Sequence, residues 1–181
     1  MLTSNLIYIR PLEPADAHDL LQLQMDNKEF FETYSPPRSD DYYTIQAQED
    51  LIRKYQERAE KDLGYEFGIF IKADDHLIGT ISLFHIMRSA LQSAFIGYSL
   101  DQAHNGKGYM TEAVKLAVNF AFEKLHLHRI EAGVMPHNIG SIRVLEKAGF
   151  HKEGLAIKNV KINGKWEDHQ VLALINPNDK D

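Results

Sequence analysis

The chain contains no cysteine among its 181 residues. This absence excludes disulfides, thiolate metal sites and any mechanism in which the protein itself forms a thioester. It also has no apolar run near the roughly 20 residues of a membrane span, and Met1 to Pro11 lacks the sections of a secretory signal. We therefore expect a cytoplasmic protein without a membrane segment.

Basic side chains are also in deficit, with 20 Lys and Arg against 26 Asp and Glu and a net charge of -6. This balance argues against direct binding to nucleic acid and is compatible with a cationic substrate. The hydrophobic content of 44% and charged content of 25% are typical of a globular protein with a core. At this length they predict one domain spanning residues 1–181.

Residue periodicity predicts a mixed α/β (α+β) fold with a mostly antiparallel, twisted sheet of about seven strands and about four flanking helices. The predicted strands are Leu6–Leu12, Tyr65–Lys72, Leu77–His85, Ser93–Leu100, Arg129–Met135 and a hairpin of Lys152–Ile162 and Lys165–Ile175 around Asn163-Gly164. The predicted helices run from Pro14 to about Asp26, from Thr44 to a stop at Gly64, from Tyr109 to about Lys124, and from Asn138 to a stop at Gly149.

The segment from Lys28 to Tyr43 is predicted to be a loop rich in aromatic side chains. Such a loop is either a lid over a substrate or a segment that packs on the surface of the domain. The sequence leaves both interpretations open.

A glycine-rich turn joins the strand that ends at Leu100 to the helix that begins at Tyr109. Gly106 and Gly108 allow a ligand to approach the backbone, and the unpaired N–H groups at a helix start bind anions such as a pyrophosphate. The dinucleotide fingerprint fails because Thr111 stands where its third glycine is needed. A Walker loop fails because Lys107 precedes a glycine.

Together with later motifs, this turn resembles the GNAT superfamily of acetyl-CoA-dependent N-acetyltransferases, and in particular the ribosomal-protein-alanine branch. The resemblance extends over nearly the whole chain. The motifs that carry it are Asn105-Gly106-Lys107-Gly108-Tyr109-Met110-Thr111-Glu112-Ala113, Met135-Pro136-His137-Asn138-Ile139-Gly140-Ser141, Gly149-Phe150, Ile78-Gly79-Thr80-Ile81 and Gly164-Lys165-Trp166-Glu167-Asp168-His169. The superfamily pattern for this turn is Gln/Arg-x-x-Gly-x-Gly/Ala. Asn105 departs from it at the first place and Met110 at the last.

The resemblance implies that acetyl-CoA is the cosubstrate, bound where the strand Phe95–Leu100 diverges from its neighbour. The implied cofactor-binding residues are Ile96, Tyr98 and Leu100 on that strand, Asn105, Gly106, Lys107, Gly108, Tyr109, Met110 and Thr111 in the turn, and Asn138 and Ser141 beyond it.

The transfer of an acetyl group to an amine requires a group that takes a proton, a donor to the oxyanion and a group that returns a proton to the thiolate. The resemblance implies that a backbone N–H near Tyr98 or Ser99 serves the oxyanion. It also implies that Ser141 protonates the sulfur, with Asn138 facing the same ligand. Asn138 is equally an ordinary helix cap that Ser141 assists.

Four side chains are open candidates for the base, and each is also open to a structural interpretation: Glu66, Glu112, His137 and Asp168. The chain has nine histidines but no HExxH motif, so we expect no metal site.

The leading hypothesis is acetylation of an N-terminal α-amine of a ribosomal protein by a monomer or homodimer. The alternatives are an acetyltransferase for a small amine such as a polyamine, amino acid or antibiotic, a coenzyme A-binding module without turnover, and a protein that binds ATP or NAD.

Overall fold

Eight strands form a single mixed sheet in the computed structural model, which describes residues 1–179. The strands are β1 (Leu2–Thr3), β2 (Ile7–Pro11), β3 (Gly64–Ile71), β4 (Leu77–Met87), β5 (Ser93–Leu100), β6 (Arg129–Val134), β7 (His151–Ile162) and β8 (Lys165–Ile175). The α-helices are α1 (Ala17–Asp26), α2 (Lys28–Glu32), α3 (Ile45–Glu60), α4 (Tyr109–Glu123) and α5 (Ile139–Lys147).

The strand order is β1-β2-β3-β4-β5-β6-β8-β7, and every neighbouring pair is antiparallel except β5 and β6. The parallel pairing is short. It covers Ser93–Phe95 against Arg129–Glu131 and then ends, although both strands continue. The two strands therefore separate in the middle of the sheet.

Helices cover both faces of the sheet. Alternate residues of a strand point to opposite faces, so Phe67 and Ile69 join the main core under α4 and α5, while Phe70 joins a second core under α1 and α3. The amphipathic pattern of α4 explains its position, because its apolar residues at three- and four-residue spacing are all buried. Among the described residues, no helix has the length and apolar character needed to cross a membrane.

The structure confirms the predicted fold class and corrects several details. It has eight strands and five α-helices where about seven and four were predicted. The predicted loop Lys28–Tyr43 contains α2 and a 3-10 turn at Asp40–Tyr42.

The predicted helix stop at Gly64 was wrong. The third helix ends at Glu60, Asp62 takes the left-handed conformation with φ 54°, and Gly64 already belongs to β3. Aspartate tolerates this conformation better than most side-chain-bearing residues. The other turn predictions are confirmed: φ is 102° at Gly149, and it is 49° at Asn163 and 79° at Gly164, as a tight hairpin requires.

Candidate active site

Two cavities meet at the end of β5, a few residues beyond the point where this strand separates from β6. The Glu66 cavity has a volume of about 520 Å³ and lies over β3, β4 and β5. The Ser141 cavity has a volume of about 470 Å³ and lies between β5, the glycine turn and α5. Both are lined by Tyr98 and Ser99, and both are lined by Phe31 and Ser35 from the segment around α2. The two cavities therefore adjoin at these four residues.

The floor of the Glu66 cavity is a row of small or polar residues on three adjacent strands. Glu66 lies opposite Ser82 in the β3–β4 pair, and Ser82 lies opposite Gly97 in the β4–β5 pair. At two strand spacings, the Cα atoms of Glu66 and Gly97 are about 10 Å apart. Gly97 places no side chain in this row, and the ring of Phe84 packs over it: a Cβ atom added to Gly97 would lie 3.1 Å from the edge of that ring.

Glu66 has an unusual carboxyl group. Burial raises its pKa to about 7, and the hydroxyls of Thr80 and Ser82 and the guanidinium of Arg58 only partly offset this effect. A carboxyl group of this kind changes its protonation state near neutral pH, as a general base must.

The other three candidates for the base line neither cavity. Glu112 accepts hydrogen bonds from the hydroxyl of Ser4 and, at 3.4 Å, from the N–H of Leu6. Asp168 accepts from the N–H of Lys158 at 2.8 Å. The ring of His137 packs on Tyr34 with centroids 5.8 Å apart. The carboxylates of Glu112 and Asp168 therefore have structural partners. Of the four candidates, Glu66 is the one that lines a cavity.

Tyr98 and Ser141 form a hydroxyl pair that spans the boundary of the two cavities. The distance from Tyr98 Oη to Ser141 Oγ is 2.8 Å, and the phenol also donates to the carbonyl of Ser141 at 3.3 Å. Burial raises the pKa of Tyr98 to about 12, although the bond to Ser141 lowers it. The phenol therefore keeps its proton at neutral pH and is a potential proton source for Ser141.

Asn138 begins α5 as its N-cap. Its Oδ1 accepts a hydrogen bond from the N–H of Ser141 at 3.3 Å. Both residues line the Ser141 cavity. The cap thereby fixes the first turn of the helix and the backbone that carries Ser141.

The glycine turn has the open backbone that a ligand needs. Gly106 and Gly108 have φ values of 78° and 84°, and a Cβ atom added to either would meet no protein atom within 4 Å. Gly108 directly precedes α4, whose first N–H groups lack intrahelical acceptors. The turn and the helix start therefore have the geometry of an anion-binding site.

The structure brings most of the predicted cofactor-binding residues together. Those that line the Ser141 cavity are Tyr98, Leu100, Asn105, Gly106, Gly108, Tyr109, Met110, Thr111, Asn138 and Ser141. Two do not line it. Ile96 is buried in the main core, so only its backbone is available, and Lys107 lies exposed on the turn.

Sequence reasoning missed part of the lining. Arg143 and Lys147 lie four residues apart on α5 and line the Ser141 cavity. Phe30 and Tyr34, from the segment predicted to be rich in aromatic side chains, line it as well. The available signal was the spacing of Gly140, Arg143, Val144 and Lys147, which at i, i+3, i+4 and i+7 share one face of the helix.

The β7–β8 hairpin contributes no residue to the lining of either cavity. Instead it contacts a segment that does: Asn163 Nδ2 donates to the backbone carbonyl of Glu32 in α2 at 3.0 Å. Glu32 lines the Glu66 cavity, and its neighbour Phe31 lines both cavities. The hairpin therefore contacts the backbone of the cavity wall but does not line the cavity itself.

Comparison with known proteins gives consistent results. The family model for the acetyltransferase (GNAT) domain matches residues 7–151. The probable N-acetyltransferase YjcK of Bacillus subtilis is 66% identical over 180 residues, which cover 99% of each chain.

Two solved structures are also similar. The ribosomal-protein-S5-alanine acetyltransferase from Vibrio fischeri superimposes with a TM-score of 0.92 at 32% identity, covering 99% of this chain and 98% of that one. RimJ of Mycobacterium smegmatis, in complex with CoA-disulfide, superimposes with a TM-score of 0.88 at 26% identity, covering 93% of this chain and 81% of that one.

Proposed function

This chain belongs to the GNAT family and is an acetyl-CoA-dependent N-acetyltransferase, and on that premise we propose that it acetylates the N-terminal α-amine of a ribosomal protein. Such an acceptor would be met in the cytoplasm. The observation that carries the proposal is that the two cavities meet at Tyr98 and Ser99. The carboxyl group of Glu66, with a pKa of about 7, lies in one cavity, and the hydroxyl of Ser141 lies in the other.

Each cavity suits one of the two substrates. The diphosphate of acetyl-CoA would lie against the N–H groups at Gly106 and Gly108, and Arg143 and Lys147 add positive charge to the same cavity. The pantetheine arm would follow the backbone of β5 where β6 no longer pairs with it. This path leads the thioester to Tyr98, next to the Glu66 cavity.

The residues around the thioester divide the three chemical roles. Glu66 accepts the proton that the amine nitrogen loses, directly or through a water molecule. A backbone N–H near Tyr98 or Ser99 stabilises the oxyanion that forms on the carbonyl. When the C–S bond breaks, Ser141 gives a proton to the sulfur and recovers one from Tyr98. Solvent then returns a proton to Tyr98, and Glu66 releases the amine proton to solvent, which restores the starting state.

The protonation state of Glu66 favours an α-amine over a lysine side chain. An N-terminal amine has a reference pKa of about 7.7 to 8.0, against about 10.4 for lysine. Near neutral pH, an ionised Glu66 with a pKa of about 7 therefore coexists with a useful fraction of neutral α-amine. A lysine amine, with its pKa of about 10.4, is almost entirely protonated at this pH, so very little of it is available as the neutral nucleophile.

The backbone turn supplies a test of the cofactor position. We expect Gly108→Ala to raise the Kd for acetyl-CoA about 10-fold, or about 1.4 kcal/mol, because the added Cβ lies on the surface that the diphosphate would contact. Titration calorimetry with acetyl-CoA measures the change. Gly154→Ala is the matched control, since Gly154 also has positive φ and open space but lies in β7, outside both cavities. Equal affinities of the two variants would contradict the placement.

The acceptor is tested by release of free thiol from acetyl-CoA with a panel of amines. The panel contains peptides with ribosomal N-termini, the same peptides with a blocked α-amine and an internal lysine, spermidine and free amino acids. We expect turnover of the peptides with a free α-amine and at least 10-fold lower kcat/KM for every other amine. Turnover of spermidine or an amino acid with inert peptides would contradict the ribosomal assignment and leave the transfer chemistry intact.

A further inference from the structure

The arginines of this chain divide into two groups. Four of them form ion pairs within 4 Å of a carboxylate, namely Arg10, Arg53, Arg88 and Arg129. Within residues 1–179, the other three have no such partner, and each of these lines a cavity: Arg143 the Ser141 cavity, and Arg38 and Arg58 the Glu66 cavity. The guanidinium groups without an ion pair therefore all line the two cavities.

Arg38 and Arg58 approach the Glu66 cavity from two different elements. Arg38 follows α2 in sequence, and its guanidinium carbon lies 5.1 Å from the centroid of the Tyr42 ring, which holds it against the cavity wall. Arg58 lies in the last turn of α3 and makes one long hydrogen bond, 3.5 Å, to the carbonyl of Leu63. Each guanidinium has five N–H donors, so both retain donors for a ligand.

The charge of this cavity limits the acceptor. Its carboxylates are Glu32 and Glu66, and two guanidinium groups accompany them. A polyamine would bring several positive charges into this cavity and meet Arg38 and Arg58. An acceptor with one amine and a nearby carboxylate would instead place its amine at Glu66 and its carboxylate at the guanidinium groups.

We infer that the preferred acceptor is a peptide with an acidic side chain within its first four residues, which Arg38 and Arg58 bind while the α-amine reaches Glu66. This inference rests on the proposed function and narrows it to a class of N-terminal sequences. An extended peptide spans about 10 Å over its first four residues, a length comparable to the width of the three strands that form the cavity floor.

The test compares peptides that begin with Ala and carry Glu at position 2, 3 or 4 with the same peptides carrying Gln. We expect one Glu peptide to exceed its Gln partner about 10-fold in kcat/KM, which is the contribution of a hydrogen bond between charged groups at a partly exposed site. The ratio should fall to near 1 in the Arg38→Gln, Arg58→Gln double variant. Arg53→Gln, on the same helix as Arg58 but outside the cavity, should keep the wild-type ratio.

A charge exchange separates recognition from a structural role. The Arg38→Glu, Arg58→Glu double variant should prefer peptides with Lys at the sensitive position. Thermal shifts with acetyl-CoA verify that each variant is folded.

Equal turnover of Glu and Gln peptides by the wild type would overturn the inference and leave the proposed function standing. Failure of all peptides with turnover of a small amine would overturn the proposed function itself. Free alanine turned over as fast as the best peptide would show that the arginines bind an α-carboxylate, and would also overturn the inference.

Discussion

Replacing Glu66 by glutamine is expected to lower kcat/KM for the acceptor amine at pH 8 by about 100-fold or more, the usual contribution of a positioned base. Glutamine keeps the size of the side chain but cannot take the proton that the amine loses during attack. The measurement is initial-rate kinetics with a peptide acceptor at saturating acetyl-CoA. Glu112→Gln is the matched control, because Glu112 lies outside both cavities.

The pH profile of the same variant tests the cause. Because Glu66 has a pKa of about 7, the wild-type kcat/KM should rise with pH and level off only above both this pKa and that of the amine. In the variant, the pH profile should show only the titration of the α-amine, whose pKa is about 7.7 to 8.0. An unchanged profile in the variant would assign the base to another group.

The stability of this variant should change in the opposite direction to its activity. Since folding raises the pKa of Glu66 from 4.5 to about 7, the folded state binds more protons than the unfolded state between these values. The free energy of unfolding therefore falls as pH rises from about 4.5 to about 7, by on the order of 2 kcal/mol. Glu66→Gln removes this loss, so urea unfolding should show a variant more stable than the wild type at pH 8 and similar to it at pH 4.5.

Replacing Ser141 by alanine is expected to lower kcat about 100-fold while the Kd for acetyl-CoA changes little. The reason is that the hydroxyl acts on the departing sulfur, whereas most of the contacts to the cofactor come from backbone N–H groups. Single-turnover kinetics and titration calorimetry measure the two quantities separately.

Tyr98→Phe is the companion to this variant. It removes the phenol that bonds to Ser141 at 2.8 Å and keeps the ring. If the pair relays a proton, Tyr98→Phe should lower kcat about 10-fold, and the double variant should be no slower than Ser141→Ala alone. Additive losses would indicate that the two hydroxyls act independently.

Local signals predicted most of the fold. The spacing of apolar residues predicted α4 because a helix with one buried stripe repeats over its own length. Asn163-Gly164 predicted the last hairpin because both residues tolerate positive φ. The stop at Gly64 was wrong because Asp62, two residues earlier, adopted the reversing conformation. The strand at Leu2–Thr3 has only two residues, too few for a periodic pattern.

The site was predictable only where its parts are close in sequence. The residues of the glycine turn lie within a few positions of one another, and so do Asn138 and Ser141. The bond between Tyr98 and Ser141 joins residues 43 positions apart, and no local pattern signals it. Glu66 could not be separated from the other base candidates, because its raised pKa comes from burial in the folded chain.

The contact of Asn163 with Glu32 has a consequence for the synthesis of the enzyme itself. It joins residues 131 positions apart, and the earlier one belongs to the short helix that walls both cavities. During translation, the glycine turn and the base leave the ribosome well before the hairpin that steadies this wall. We therefore expect a nascent chain to gain acetylating activity only after its final strands have emerged and folded.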